Sequence, residues 1–373
     1  MRERYDVAVI GLGAMGSAAA YHLALRGRSV VGFDRYRPPH SFGSSHGRTR
    51  IIREAYPEGA GYVPLVQRAY ELWADLQTAS GDELLTITGG LLIDDEGGDS
   101  SRSAIHSAAR GGIAIEQLSP AEVASRFPTF RLDSGQIAIF EPRAGVLAIE
   151  ACIKAHLDAA AIAGAELRFN TAVDGWTASD GGFELATSGG TVQADRLVLS
   201  AGPWLPTLLG RRAAALTVER QVQCWFEPVD DGEGPISIWP AVAAGGYTSP
   251  DLGDGVKVAV HHGGVATTPD DVERLVGDDD VDPLRRFIEH YLPGVTSTLR
   301  EASVCLYTNT ADEDFLIDIL PEDERIIVVS PCSGHGFKFA PAVGEAVAEL
   351  LTDGSTTQPI EAFRFDREAL TTP

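Results

Sequence analysis

Residues 5–34, YDVAVIGLGAMGSAAAYHLALRGRSVVGFD, decide the fold of this 373-residue chain. Residues 5–10 are an apolar run containing Val7, Val9 and Ile10, the pattern of a buried strand. Gly11-Leu12-Gly13-Ala14-Met15-Gly16 follows at once, and an alanine-rich stretch with apolar periodicity over 14–25 stops near Gly27, as a helix should. A second strand over 29–33 ends at Asp34. Strand, glycine loop, helix, strand and acid within about 30 residues is the setting in which GxGxxG binds a dinucleotide. Gly11 permits the tight turn, Gly13 lets the backbone approach a pyrophosphate, and Gly16 lets the helix pack on the strand. The N–H groups at the helix start have no partner within the helix and suit phosphates. Asp34 can bond both hydroxyls of an adenosine ribose, which favours FAD or NAD over NADP.

Outward from this unit, residues 194–200 (ADRLVLS) and 325–330 read as further buried strands, and 340–351 as a closing helix. Residues 84–94 read as a strand with a Gly-Gly break, 136–140 as a short strand, 149–163 as a helix and 166–170 as a strand. From 216 to 320 the pattern changes to short alternating runs, such as 256–261, between glycine and proline turns; this predicts an antiparallel sheet. The nucleotide-binding pattern occurs at both ends with β-rich insertions between, which predicts two interleaved domains.

Composition narrows the function. Thirty Lys and Arg stand against 53 Asp and Glu, a formal charge of −23, so the surface repels phosphate backbones and no nucleic-acid partner is expected. No run of about 18 uncharged apolar residues occurs, so no membrane partner is expected. The four cysteines, Cys152, Cys224, Cys305 and Cys332, form neither CxxC nor a zinc-like cluster. No metal is therefore expected, and the setting is read as reducing and cytoplasmic. Residues 1–13 lack the basic, apolar and cleavage order of a signal peptide, and the final EALTTP is no peroxisomal tripeptide. Only three of the basic residues are lysines: Lys154, Lys257 and Lys338. A chain that otherwise uses arginine can keep lysine where a compact ammonium is needed.

Four segments gather chemistry: GSSHGRTRIIREAY (43–56), KVAVH (257–261), VCLYT (304–308) and SGHGFKF (333–339). Two of the three lysines fall in them. In extended chain, Lys257, Ala259 and His261 share one face, as do Cys305 and Tyr307. Cations gathered in glycine-rich turns of an acidic chain point to a bound anion.

With the glycine loop and Asp34, these segments resemble, in the same order and over nearly the whole chain, the monomeric sarcosine oxidase and N-methyl-L-tryptophan oxidase family, flavin amine oxidases of the D-amino-acid oxidase fold group. The resemblance implies an α/β fold with α+β insertions: a Rossmann-like FAD-binding domain (1–85, 145–215 and 322–373) interleaved with an antiparallel-sheet substrate domain (86–144 and 216–321). It implies FAD held covalently through a thioether at Cys305, with Gly11, Gly13, Gly16, Asp34, Ser44, Thr49, Val173, Gly202 and Gly336 around the cofactor. Cys152, Cys224 and Cys332 read as ordinary buried cysteines. Arg53 and Lys338 match the pair that holds the substrate carboxylate. Lys257 matches the lysine that promotes dioxygen reduction. His46 and Arg50 match groups against the flavin, and His261, Tyr307 and Tyr247 match pocket residues. His335 is read as shaping backbone near the flavin.

The implied reaction oxidises a secondary α-amino acid such as sarcosine to its imine, with dioxygen reduced to hydrogen peroxide, in a monomer. A dehydrogenase passing electrons to another acceptor, and an idle flavin-binding subunit, are the alternatives. The sequence departs from relatives at Ser45, where a second histidine is common, and at Arg48. It departs most in 236–247 (ISIWPAVAAGGY), where Trp239 could narrow the pocket, stack on an aromatic substrate or fill core.

Overall fold

The computed structural model describes residues 4–210, 216–242 and 246–371. Residues 243–245, inside the divergent 236–247 stretch, lie outside the described residues. So do 1–3 of the N-terminal reading, 211–215 at the expected end of one domain segment, and 372–373 of the C-terminal reading.

The opening unit forms as its residues dictate. Strand Arg4–Ile10 leads into helix Ala14–Leu25, and strand Val30–Phe33 returns beside the first, parallel to it. Nearly all of the helix is buried, so it is apolar all round rather than amphipathic. Its small Ala18, Ala19 and Ala20 are fully covered and let helix Ala340–Asp353 approach closely.

Three sheets carry the chain. The first has a parallel centre, with Gly190–Leu199, Arg4–Ile10, Val30–Phe33 and Glu166–Arg168 side by side. One edge of Gly190–Leu199 is shared: its start pairs antiparallel with Gly182–Thr187, and its end pairs parallel with Asp323–Ser330. The second sheet has nine strands, including Thr217–Pro228, Val256–Val260 and Val295–Asn309. It is antiparallel, as expected for 216–320, except where Ile236–Trp239 runs parallel to Gly90–Asp95. A small third sheet joins Thr49–Ile52, Gly145–Ala148 and Leu85–Ile87.

Two readings shift. The expected strand over 84–94 is two strands in different sheets, Leu85–Ile87 and Gly90–Asp95, because Gly89 turns the chain at φ +74°. Strand Leu316–Leu320, assigned by sequence to the substrate segment, hairpins onto Asp323–Ser330 and so joins the first sheet. Helix Asp278–Tyr291 interrupts the β-rich region with only one apolar face. No helix among the described residues is long and apolar enough to cross a membrane. Nor does any group of three or more His, Cys, Asp or Glu among them suit a metal ion.

Candidate active site

The C-terminal ends of the parallel strands open onto a cavity of about 830 Å³ that reaches from the glycine loop to the 334–338 turn. At one end Gly11, Gly13, Asp34, Val173 and Gly202 line it. Gly16 lies behind them, where a Cβ would stand 1.7 Å from the Gly11 carbonyl oxygen; only glycine lets the helix start that close. Gly13 is bare for another reason. A Cβ there would meet only Ser45 Oγ, at 3.5 Å, so no protein atom demands glycine. Gly13 is also the N-cap of its helix and offers no side-chain cap, leaving donors for an anion. Asp34 is oriented in advance: its oxygens accept the N–H groups of Leu12 and Tyr36, each at 2.9 Å. Oδ2 keeps a further lone pair for a hydroxyl, while His40 Nε2 stands 3.4 Å from Oδ1. These features fit a dinucleotide.

The segment 44–53 forms the middle of the site. The Arg50 guanidinium donates to the carbonyls of Ser44 (2.9 Å) and Thr49 (3.0 Å), to Gln223 Oε1 (3.3 Å) and to Cys305 Sγ (3.5 Å). Burial acts to lower its pKa, but Cys305, Tyr247, Tyr307 and Glu150 outweigh that and hold it above the ordinary value. Cys305 is buried on strand Val295–Asn309, its thiol also donating to the Ser44 carbonyl at 3.5 Å. Lys257, on strand Val256–Val260, is 1% exposed and donates to the carbonyls of Gly47 (3.1 Å) and Thr49 (3.0 Å). Burial, then Arg50, pushes this ammonium well below the usual lysine range. Burial, then Arg50 and Lys257, likewise brings His46 down to about 3, so its ring is neutral. His46 Nε2 and Thr49 Oγ1 are buried without a hydrogen-bond partner among the described residues. Ser44 and Arg50 line the cavity; Cys305, Lys257, His46 and Thr49 sit behind its wall.

At the far end two buried cations meet the ring of Tyr56. Arg53 lies 4.6 Å and the Lys338 ammonium 5.1 Å from its centroid. Arg53 donates to the Ala55 carbonyl (3.0 Å) and to both oxygens of Glu58 (3.1 Å each). Burial would raise Glu58, but Arg53, His335 and Lys338 hold it at about 2, so this carboxylate is an anion in the fork. Lys338 donates to the His335 carbonyl (2.6 Å) and the Tyr56 hydroxyl (3.2 Å). Burial, then Arg53, lowers Lys338 to about 7.

Tyr247, His261, Tyr307 and Gly336 complete the lining. Burial pushes Tyr247 up to about 12 and His261 down to about 3, so the imidazole is neutral beside the Tyr307 hydroxyl, 3.4 Å away. Gly334, at φ +77°, must be glycine: a Cβ would lie 2.5 Å from the Tyr307 ring and 2.6 Å from His261. Trp239 lies at the cavity wall but is packed into the core. Its indole is fully buried against Phe287 and Tyr291, with its N–H on Ser237 Oγ at 2.7 Å. His335 takes a hydrogen bond at Nδ1 with Tyr56 (2.6 Å) and at Nε2 with the Glu313 carbonyl (3.1 Å), so it braces the turn.

The sequence reading missed Tyr56, Glu58, Gln223 and His262. Tyr56 lay inside a quoted motif, and Glu58 two residues beyond it. His262, which lines the cavity at φ +67°, follows His261 directly; its strained backbone has no sequence signal. Gln223 reaches the site through the pairing of strand Thr217–Pro228 with Val256–Val260 on one side and Val295–Asn309 on the other.

Comparison with known proteins agrees with this architecture. The family described as DAO, FAD dependent oxidoreductase, matches residues 6–350. A monomeric sarcosine oxidase of Streptomyces avermitilis is 38% identical over 377 residues, covering 97% of each chain. An N-methyl-L-tryptophan oxidase of Yersinia pestis is 36% identical over 371 residues, covering 97% of this chain and 99% of that one. In three dimensions the chain resembles NikD, an unusual amino acid oxidase, with TM-score 0.87 at 23% identity over 97% of each chain. It also resembles an L-proline dehydrogenase of P. horikoshii, with TM-score 0.87 at 22% identity, covering 98% of this chain and 97% of that one.

Proposed function

Because the chain belongs to the DAO family of FAD-dependent oxidoreductases, we propose that it oxidises secondary α-amino acids, N-methyl or cyclic, to their imines, with dioxygen as acceptor and hydrogen peroxide as product. One observation carries the substrate assignment: two buried cations, Arg53 and Lys338, converge on one aromatic ring at the cavity end farthest from the glycine loop. A guanidinium fork beside an ammonium is suited to a carboxylate. Glu58 already shows that Arg53 pairs with a carboxylate here, its Nη2 donating to both carboxylate oxygens.

Gly11, Gly13, Asp34, Val173 and Gly202 would hold the nucleotide half of FAD, and Ser44, Thr49, His46 and Arg50 its ring. When bound, FAD supplies the two-electron acceptor and the route of those electrons to dioxygen. Arg53 and Lys338 anchor the carboxylate, which fixes where the α-carbon and nitrogen lie. His261, held neutral, faces the amine without a repelling charge and favours its free base. Arg50 supplies fixed positive potential where negative charge develops, and Lys257 adds to it when protonated. Cys305 would carry the covalent bond to FAD, its sulfur 3.5 Å from the Arg50 guanidinium. The sheet pattern supports two interleaved domains, with the 316–320 strand moved to the FAD side. The relatives' names support a monomer.

The test mixes purified enzyme with sarcosine, N-methyltryptophan and proline, following flavin absorbance without oxygen and peroxide with it. Bleaching with at least one of them and stoichiometric peroxide on aeration support the proposal. Bleaching without oxygen uptake would replace it with a dehydrogenase, and no bleaching with any carboxylated amine would remove it.

A further inference from the structure

The strand Thr49–Ile52 links the two functional halves, since Arg50 lies within it and Arg53 just after it. Its partner is Gly145–Ala148. A glutamate stands close to either end of that partner. Before it, buried Glu141 accepts two successive backbone N–H groups, one on each oxygen: Glu54 at 2.8 Å and Ala55 at 2.9 Å. After it, Glu150 in the first turn of helix Ile149–Ile162 accepts two more on a single oxygen: Gly47 at 3.0 Å and Arg48 at 3.2 Å. Gly47 and Arg48 have φ of +95° and +67°, a turn whose successive N–H groups converge on an anion.

Each clamped peptide touches a different cation. The Ala55 carbonyl receives Arg53, and the Gly47 carbonyl receives Lys257. We propose that Glu141 and Glu150 are paired positioning residues, Glu141 setting the Arg53 fork for the substrate carboxylate and Glu150 setting Lys257 for the reaction with dioxygen. Neither carboxylate lines the cavity, so each acts through the backbone it grips, Glu150 also through its charge on Arg50 and Lys257. The assignment of the two halves rests on the function proposed above; the clamps themselves do not.

At position 141 glutamine replaces one of two accepting oxygens with a donor that opposes an N–H; at position 150 it keeps an oxygen for both N–H groups but removes the charge that strengthens them. The experiment compares wild type, Glu141→Gln and Glu150→Gln by amide hydrogen exchange, by titration with propionate followed in flavin absorbance, and by reoxidation of reduced enzyme. Glu141→Gln should weaken propionate about tenfold, the scale of a charge-assisted hydrogen bond, and speed exchange at 54–55 alone. Glu150→Gln should leave propionate within twofold, slow reoxidation about tenfold and speed exchange at 47–48 alone. Unchanged propionate affinity in Glu141→Gln, or both variants disturbing both halves alike, would overturn the division. Should either variant not fold, wild-type exchange decides: amides 47, 48, 54 and 55 exchanging as fast as exposed loop amides would overturn the clamps. Arg53→Met separates the two ideas, since unchanged propionate affinity there removes the carboxylate site while exchange still judges the clamps.

Discussion

Carboxylate affinity should fall as pH rises through neutrality, and Lys338 is the reason. Burial, then Arg53, brings this ammonium from its ordinary value down to about 7, with Glu58 opposing and Arg50 adding to the shift. Neither His335 nor Glu58 changes charge in that range: His335 is lowered to about 4 by burial and Glu58 to about 2, where Arg53 overcomes the effect of burial. With a pKa near 7, roughly 90% of Lys338 is charged at pH 6 and about 1% at pH 9. A carboxylate favours the charged form, so binding takes up a proton and raises the pKa in the complex. One hydrogen bond to a charged group contributes about 1.5–3 kcal/mol, which is about one to two pKa units. The Kd for propionate, ionised across this range, should therefore be flat below pH 7. It should rise about tenfold per pH unit above pH 7 and level off roughly 10- to 100-fold weaker by pH 8–9. Lys338→Met should bind weakly and without this slope; Lys338→Arg should keep the charge and lose the slope. A wild-type Kd that is constant from pH 6 to 9, or an unchanged slope in Lys338→Met, would refute the reasoning.

Three further outcomes can be checked directly. Acid precipitation of wild type should leave yellow flavin in the pellet, whereas Cys305→Ala should release it to the supernatant. Glu58→Ala removes the internal competitor of the Arg53 fork, so propionate at pH 6 should bind several-fold more tightly by the same titration, in keeping with an exchange of charge-assisted bonds. Gly16→Ala and Gly13→Ala should separate fold from cofactor. The first drives a Cβ into the Gly11 carbonyl and should sharply lower the thermal midpoint of apoprotein, while the second should leave that midpoint nearly unchanged and weaken FAD.

Periodicity and turn chemistry are local properties, and they determined much of this protein. The helix over 14–25 and the strand ending at Asp34 follow from apolar spacing and glycine placement within 30 residues, and they stand in the structure as read. Lysine usage was also informative: Lys257 and Lys338 are buried at the site, whereas Lys154 forms a surface pair with Asp158. The glycines of 334 and 336 were legible as a motif, but their reason was not. Gly334 is bare because two rings, from residues 261 and 307, occupy the space of its Cβ.

What the chain order cannot express is which distant groups satisfy which polar atoms. Gln223 on Arg50 and the grip of Glu141 and Glu150 on backbone N–H groups look in sequence like ordinary surface polar residues. Burial forces such atoms to find partners, and the partners are chosen by sheet register across gaps of up to 173 residues. The glycine loop, the cations and Cys305 were thus written in motifs. Their orientation, their protonation and the core role of Trp239 were decided only by packing, because charge state and hydrogen-bond geometry depend on neighbours that folding alone supplies.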